Sequence, residues 1–158
     1  MKKFWIAVGR WVRFGYLRVV RIKASSHTVA LGMAVGVFVG CLPVIPFQTV
    51  IALGLAVVLR CNKLSAALGT WVSNPLNVPL VYYGLYRVGS FIVPEVHCTL
   101  DLRHLALREM FSQGGELVGL MTVGGVVVGL PLSLITYFVT LRVVRVYHAR
   151  RATRRLKK

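Results

Sequence analysis

Residues 24–59 contain no charged side chain, thirty-six positions in succession in a chain whose formal net charge is +16. So long an uncharged run cannot be exposed to water, and its composition suits a bilayer. It is broken once, at Leu42-Pro43-Val44-Ile45-Pro46-Phe47-Gln48. Lipid offers no hydrogen bonds to an interrupted backbone. Such a break survives at membrane depth only where protein covers it or where it lines a wet cavity.

The rest of the composition agrees. The chain has 158 residues, is 56% hydrophobic and has a mean hydropathy of +0.70, against an apolar share of about 45–50% in soluble domains. Charge is collected at the ends. Seven Lys or Arg lie in 2–23 and eight in 142–158, whereas all four acids, Glu95, Asp101, Glu109 and Glu116, share one window. Basic flanks beside long apolar segments read as cytoplasmic, and the acidic window as lying on the other face. The same tails could contact nucleic-acid phosphates, a reading ranked below topology because it rests on the tails alone. Cys41, Cys61 and Cys98 form neither a CxxC pair nor an even set, so no disulfide framework or zinc ribbon follows. Arg10, Arg13, Arg18 and Arg21 punctuate the N-terminal apolar residues, which is unlike a signal peptide.

The expected fold is all-α and polytopic. A basic amphipathic helix in residues 1–23 lies in the headgroup plane, with Trp5, Val8, Val12, Tyr16 and Val19 on its apolar face. The membrane domain, 24–141, holds about four embedded segments: 28–42, 47–59, 64–94 and 117–141. Fifteen residues of helix rise only about 23 Å, short of a hydrocarbon core of about 30 Å. The first two segments therefore form either a tight hairpin or a re-entrant pair. The third is broken at Ser73-Asn74-Pro75-Leu76-Asn77-Val78-Pro79, where Asn74 suits an N-cap and Pro75 the first helical position. Trp71, Tyr82, Tyr83 and Tyr86 suit an interface. The aqueous segment is 95–116, and Pro131 suits a kink in the last span. With both termini cytoplasmic, crossings must be even, so 24–60 contributes none or two and 64–94 contributes one. Residues 142–158 form a basic cytoplasmic tail. Gly32, Gly36 and Gly40, and again Gly125 and Gly129, recur every four residues and predict close helix packing.

Leu31-Gly32 through Gly40, then Leu42 to Gln48, Arg60-Cys61-Asn62 and above all Gly69-Thr70-Trp71-Val72-Ser73-Asn74-Pro75 resemble a bacterial membrane family, domain of unknown function 2062. The resemblance covers roughly residues 15–140. It implies a small inner-membrane protein with no established catalytic residues. Relatives fused to glycosyltransferase-like domains imply a link to envelope or lipid-linked sugar biology.

Polar residues within the apolar regions gather at the breaks, where half-helix ends can hold ions or anionic groups. The candidate binding set is Gln48, Arg60, Asn62, Thr70, Ser73, Asn74 and Asn77. A competing reading gives them only the work of capping helices and satisfying loosened backbone. His97, Asp101 and His104 have the spacing of one helical face and are weak candidates for a metal, so no metal and no cofactor is expected. There is no nucleophile elbow, phosphate loop or dinucleotide fingerprint, and no acid lies in the first ninety-four residues, so no enzyme is expected. The leading reading is a transporter or lipid-handling protein of the envelope. Its partners are the bilayer and anionic lipid headgroups, attracted by Arg60, Lys63 and Arg87. A scaffold or accessory subunit for an envelope enzyme is the rival, with a homo-oligomer or that enzyme as partner.

Overall fold

A computed structural model of the chain describes residues 24–44, 46–73, 77–94 and 115–156, the last six by their backbone alone. Among these residues all regular structure is helical, with no strand. Helix α1 (Ser26–Gly40) is followed by α2 (Gln48–Val58) and by α3 (Lys63–Gly69), which runs into a 3₁₀ turn at Thr70–Val72. Helices α4 (Val78–Ile92) and α5 (Gly115–Leu156) complete the set. The amphipathic helix expected in 1–23 lies outside the described residues, as does the acidic window up to residue 114.

Local chemistry accounts for most of the helix ends. The Ser25 hydroxyl accepts from the Thr28 amide at 3.2 Å and starts α1. Pro43 and Pro46, which lack an N–H and disfavour helix in the residues before them, stop it. Helix α2 ends in a Schellman arrangement. The Arg60 amide bonds the Val57 carbonyl at 3.1 Å and the Cys61 amide bonds the Ala56 carbonyl at 2.9 Å. Arg60 takes the left-handed position with φ 50°, a place that glycine usually fills. The Asn62 side chain caps α3 through the Ser65 amide at 3.0 Å.

One expectation is corrected. Helix α4 starts at Val78, with Asn77 at its N-cap position and Pro79 in its first turn, not at Asn74-Pro75, which lie outside the described residues along with Leu76. The Asn77 amide turns back and donates to the Val72 carbonyl at 2.7 Å, so its side chain closes the preceding turn rather than capping the following helix. About four embedded segments are expected; among the described residues one helix is long and apolar enough to cross a membrane, α5. Its 42 residues continue through Pro131 and on into the basic tail.

The helices meet through glycine. Helix α1 runs parallel to α3: a Cβ on Gly32 would strike the Asn62 carbonyl and Ser65, one on Gly36 the Ala66 carbonyl, and one on Gly40 would press on Thr70 at 3.3 Å. Gly69 reciprocates, with its added Cβ 2.9 Å from the Gly36 α-carbon. Helix α5 runs antiparallel to α1, with Gly125 on the Cys41 carbonyl and Gly129 against Cys41 and Phe38. At the far end of α1, Val29 packs on Val144, and His27 Nδ1 lies 2.8 Å from the Tyr137 hydroxyl. Helix α4 is antiparallel to α5, with Gly89 on Leu120 and Gly124 on Leu85. Larger side chains fill this second contact: Tyr82, Leu85, Leu117 and Met121.

Two outcomes follow. Gly36→Ala forces α1 and α3 apart and costs about 1–3 kcal/mol, the range for overpacking. Gly54→Ala meets open space and stabilises by up to about 1 kcal/mol through helix propensity. Thermal unfolding followed by circular dichroism in detergent separates them; equal midpoints would refute the glycine contact. By the same measurement Arg60→Gly raises stability by about 1 kcal/mol through relief of the left-handed backbone, and an unchanged or lower midpoint would show that the arginine side chain outweighs the strain.

Candidate functional site

The two breaks lie side by side. Pro43 follows α1 and the 3₁₀ turn follows α3, and these helices are parallel neighbours, so both chains leave helical geometry at one level. Gly40 against Thr70 marks that level. Helix α2 begins there as well.

Four polar side chains from the two breaks bond one another. Ser73 Oγ donates to Gln48 Oε1 at 2.9 Å, and Gln48 Nε2 donates to the Ser73 carbonyl at 3.5 Å. Thr70 Oγ1 donates to the Ala67 carbonyl at 2.8 Å. Its proton is thereby used, so the 3.3 Å contact between Thr49 Oγ1 and Thr70 Oγ1 has Thr49 as donor. Thr70 and Ser73 are buried, whereas Gln48 and Asn77 are half-buried. A primary amide has two N–H donors, and Gln48 spends one of them on Ser73, leaving capacity toward its open side. Tyr82 adds a link from α4: its hydroxyl points at the Leu42 carbonyl, at 3.4 Å.

The arrangement selects among the sequence candidates. Gln48, Thr70 and Ser73 come together, with Asn77 on the adjoining turn. Arg60 and Asn62 do not join them. Asn62 donates its backbone amide to the Thr28 carbonyl at 3.0 Å, at the opposite end of α1, because α2 returns the chain there. The eight residues from Gly32 to Gly40 put about 12 Å between the two levels. Asn74 lies outside the described residues, as do His97, Asp101 and His104. Gly32, Gly36, Gly40, Gly125 and Gly129 face other helices of the same chain.

Sequence reasoning left Thr49 out of the set, though its position beside Gln48 at a helix start was a usable signal. It also placed Tyr82 near an interface. The structure buries Tyr82 to 1% exposure in the α4–α5 contact, because its ring faces Leu117 and Met121 while its hydroxyl reaches the α1 break.

Chemically the cluster is neutral. It can donate and accept hydrogen bonds but offers no acid, base or thiolate. No group of three or more His, Cys, Asp or Glu that could hold a metal occurs among the described residues. Every buried side-chain nitrogen and oxygen among them has a partner. Neither α2 nor α4, which both begin at the breaks, has a side-chain cap, in contrast to α1 and α3, which begin at the other end and have one.

The level of the cluster along α5 is informative. The uncharged run of α5 extends from Leu117 to Leu141, between Glu116 and Arg142, and its middle residue is Gly129. Cys41, the residue on which α1 ends, packs on Gly125 and Gly129.

Ser73→Ala and Gln48→Leu form a double-mutant cycle on the central bond. Interhelical hydrogen bonds in apolar surroundings couple by about 0.6 kcal/mol on average and up to about 1.7. We expect a coupling in that range by unfolding in detergent, and additivity of the two changes would refute the bond.

The profile of a family described as an uncharacterized protein conserved in bacteria, DUF2062, matches residues 9–153. No curated protein and no solved structure matches the chain.

Proposed function

The chain belongs to the DUF2062 family, the bacterial family that its Gly69–Pro75 run resembles, and from that premise we propose a multi-pass membrane protein of the cell envelope that moves or handles a lipid or lipid-linked intermediate. The observation that carries the reading is the packing of the α1 break on α5 at the midpoint of its uncharged run, with the second break beside the first at Gly40 and Thr70. Twenty-five residues of helix measure about 37 Å, enough for a hydrocarbon core of about 30 Å. Only 28% of the most apolar window of α5 is buried within the chain, whereas a soluble core helix would be buried all round. Leu130, Leu134, Ile135, Phe138 and Val139 are all exposed along it.

With α5 across the bilayer, the other helices acquire depths. Helices α1 and α2 enter from the basic side, reach the midplane at Cys41–Phe47 and return, a re-entrant pair. Helix α3 with its 3₁₀ turn rises through the same half. Helix α4 continues through the other half and ends near the level of Glu116, since Gly89 lies on Leu120. The third and fourth pieces thus make one broken crossing, α5 makes the second, and the even count keeps both basic ends on the cytoplasmic side of a bacterial inner membrane.

This is the setting in which broken helices serve a substrate. Irregular backbone at membrane depth is tolerated where it lines a cavity or is covered by protein, and half-helix ends at the midplane hold polar parts of a cargo. Gln48, Thr49, Ser73 and Asn77 supply hydrogen bonds there without fixed charge, so a polar headgroup can pass rather than be trapped. No covalent step is required. The scaffold alternative is weakened, because Gly32, Gly36 and Gly40 are occupied by α3 inside the chain and offer no surface to a partner.

Reconstitution tests the reading. Full-length protein in vesicles containing a fluorescent phosphatidylglycerol should accelerate transbilayer movement of the label, followed by dithionite quenching from outside. Gln48→Leu with Ser73→Ala should reduce the protein-dependent rate at least about tenfold, equivalent to about 1.4 kcal/mol in the barrier. The absence of protein-dependent movement, or an equal rate in the variant, would overturn it.

A further inference from the structure

Arg87 occupies an unusual place. It is exposed on α4, and its guanidinium has no hydrogen bond or ion pair among the described residues. The structure gives it a level along α5. Arg87 lies between Leu85, which meets Gly124, and Gly89, which meets Leu120. That puts it about seven residues from Gly129, or about 10 Å along the axis. On the membrane reading above, on which this inference rests, the hydrocarbon half-thickness is about 15 Å. The backbone of Arg87 is therefore inside the apolar layer, where an unpaired cation is costly. Its stem is long enough to carry the guanidinium outward to the headgroup level.

The surroundings have the form of a lipid's. Leu80, Gly84, Arg87 and Phe91 follow one another at helical spacing, so they share a face. Leu80 is 75% exposed and Phe91 88% exposed, and a Cβ on Gly84 would meet nothing within 4 Å. Gly84 leaves this apolar face without a side chain one turn below the arginine, where an acyl chain can lie against the backbone. Ser90, whose hydroxyl donates to the Arg87 carbonyl at 3.1 Å, is on the headgroup side.

We propose that the Leu80–Phe91 face of α4 binds one anionic phospholipid in the leaflet opposite the basic tails, with its phosphate on Arg87 and an acyl chain over Gly84. Charge complementarity selects this occupant. The fork of N–H donors on a guanidinium matches two phosphate oxygens, and on the membrane reading the phosphate layer lies within reach of the arginine stem. The bound lipid would stand on the outer half of the broken crossing, next to the break it has to pass.

The test reads lipid contact at the site itself. In full-length protein with Trp5, Trp11 and Trp71 each replaced by phenylalanine, Phe91→Trp supplies a single reporter on this face. The protein is placed in vesicles of phosphatidylcholine and phosphatidylglycerol, with bromine on the chains of one or the other, and quenching gives the relative affinity. A preference for phosphatidylglycerol of about fivefold is expected, the factor set by one basic residue near a headgroup. Arg87→Gln should bring it to about one, Arg87→Lys should keep part of it, and 10 mM inorganic phosphate should leave it unchanged.

Equal quenching by both lipids with Arg87 present overturns the inference and leaves the membrane reading intact. No quenching by either lipid overturns both. Loss of the preference to inorganic phosphate assigns Arg87 to a soluble anion instead. Quenching that is weak in both lipids and restored by Gly84→Leu, together with loss of a dimer in light scattering, would assign the face to a second copy of the chain and also overturn it. Circular dichroism of each variant checks that the helices are retained.

Discussion

Backbone-to-backbone contact at glycine is the constraint on which the rest of this structure depends. Helix α1 is gripped from two directions, by α3 along Gly32, Gly36 and Gly40 and by α5 at its C-terminal end through Gly125 and Gly129. A β-carbon at Gly32, Gly36 or Gly125 would collide with the facing backbone or side chain, and one at Gly40 or Gly129 would be tight. On the proposed membrane reading, where apolar side chains gain little from clustering, close backbone approach attracts helices through dispersion and shape. The buried residues reflect this. Ala30, Ala34, Ala52, Ala56 and Ala66 are interior, while large apolar side chains such as Val58, Leu80 and Phe91 point outward.

That grip explains how two interrupted segments can coexist. Parallel packing of α1 and α3 brings both interruptions to one level, so the polar groups freed by one are met by side chains of the other. Ser73 and Gln48 bond across the gap, Thr49 bonds Thr70, and Tyr82 reaches the Leu42 carbonyl from α4. The buried members satisfy the structure, and the half-buried amide of Gln48 retains hydrogen-bonding capacity.

Much of this could be read in the residues. Pro43 and Pro46 end a helix wherever they occur in such a run, Asn62 before Lys63 is a cap in any context, and a glycine every fourth residue marks one face of a helix. What could not be read was which partner each face meets. Gly69, Gly89 and Gly124 belong to the same set of contacts as Gly36 and Gly125, but their spacing repeats no pattern, because each is paired with a residue on a different helix. The Asn74-Pro75 pair had the right chemistry for a helix start, yet α4 begins at Val78, where Asn77 is drawn back onto the Val72 carbonyl by the turn before it. Tyr82 resembled the other tyrosines of its segment until α5 was present to bury it. Arg60 and Asn62 were grouped with the site by polarity, and the return of α2 carried them to the far end of α1.

The sequence by itself determined the helical class, the places where helices stop, the family, and the segregation of charge to the ends and one window. These follow from local rules: proline lacks a donor, caps need a side-chain acceptor, and uncharged runs avoid water. The tertiary structure alone decided that the two breaks share a level, that Gln48 meets Ser73, and that Cys41 rests at the middle of the uncharged run of α5. Those are relations between residues 25 to 88 positions apart, set by how closely one backbone can approach another, and no local pattern encodes that distance.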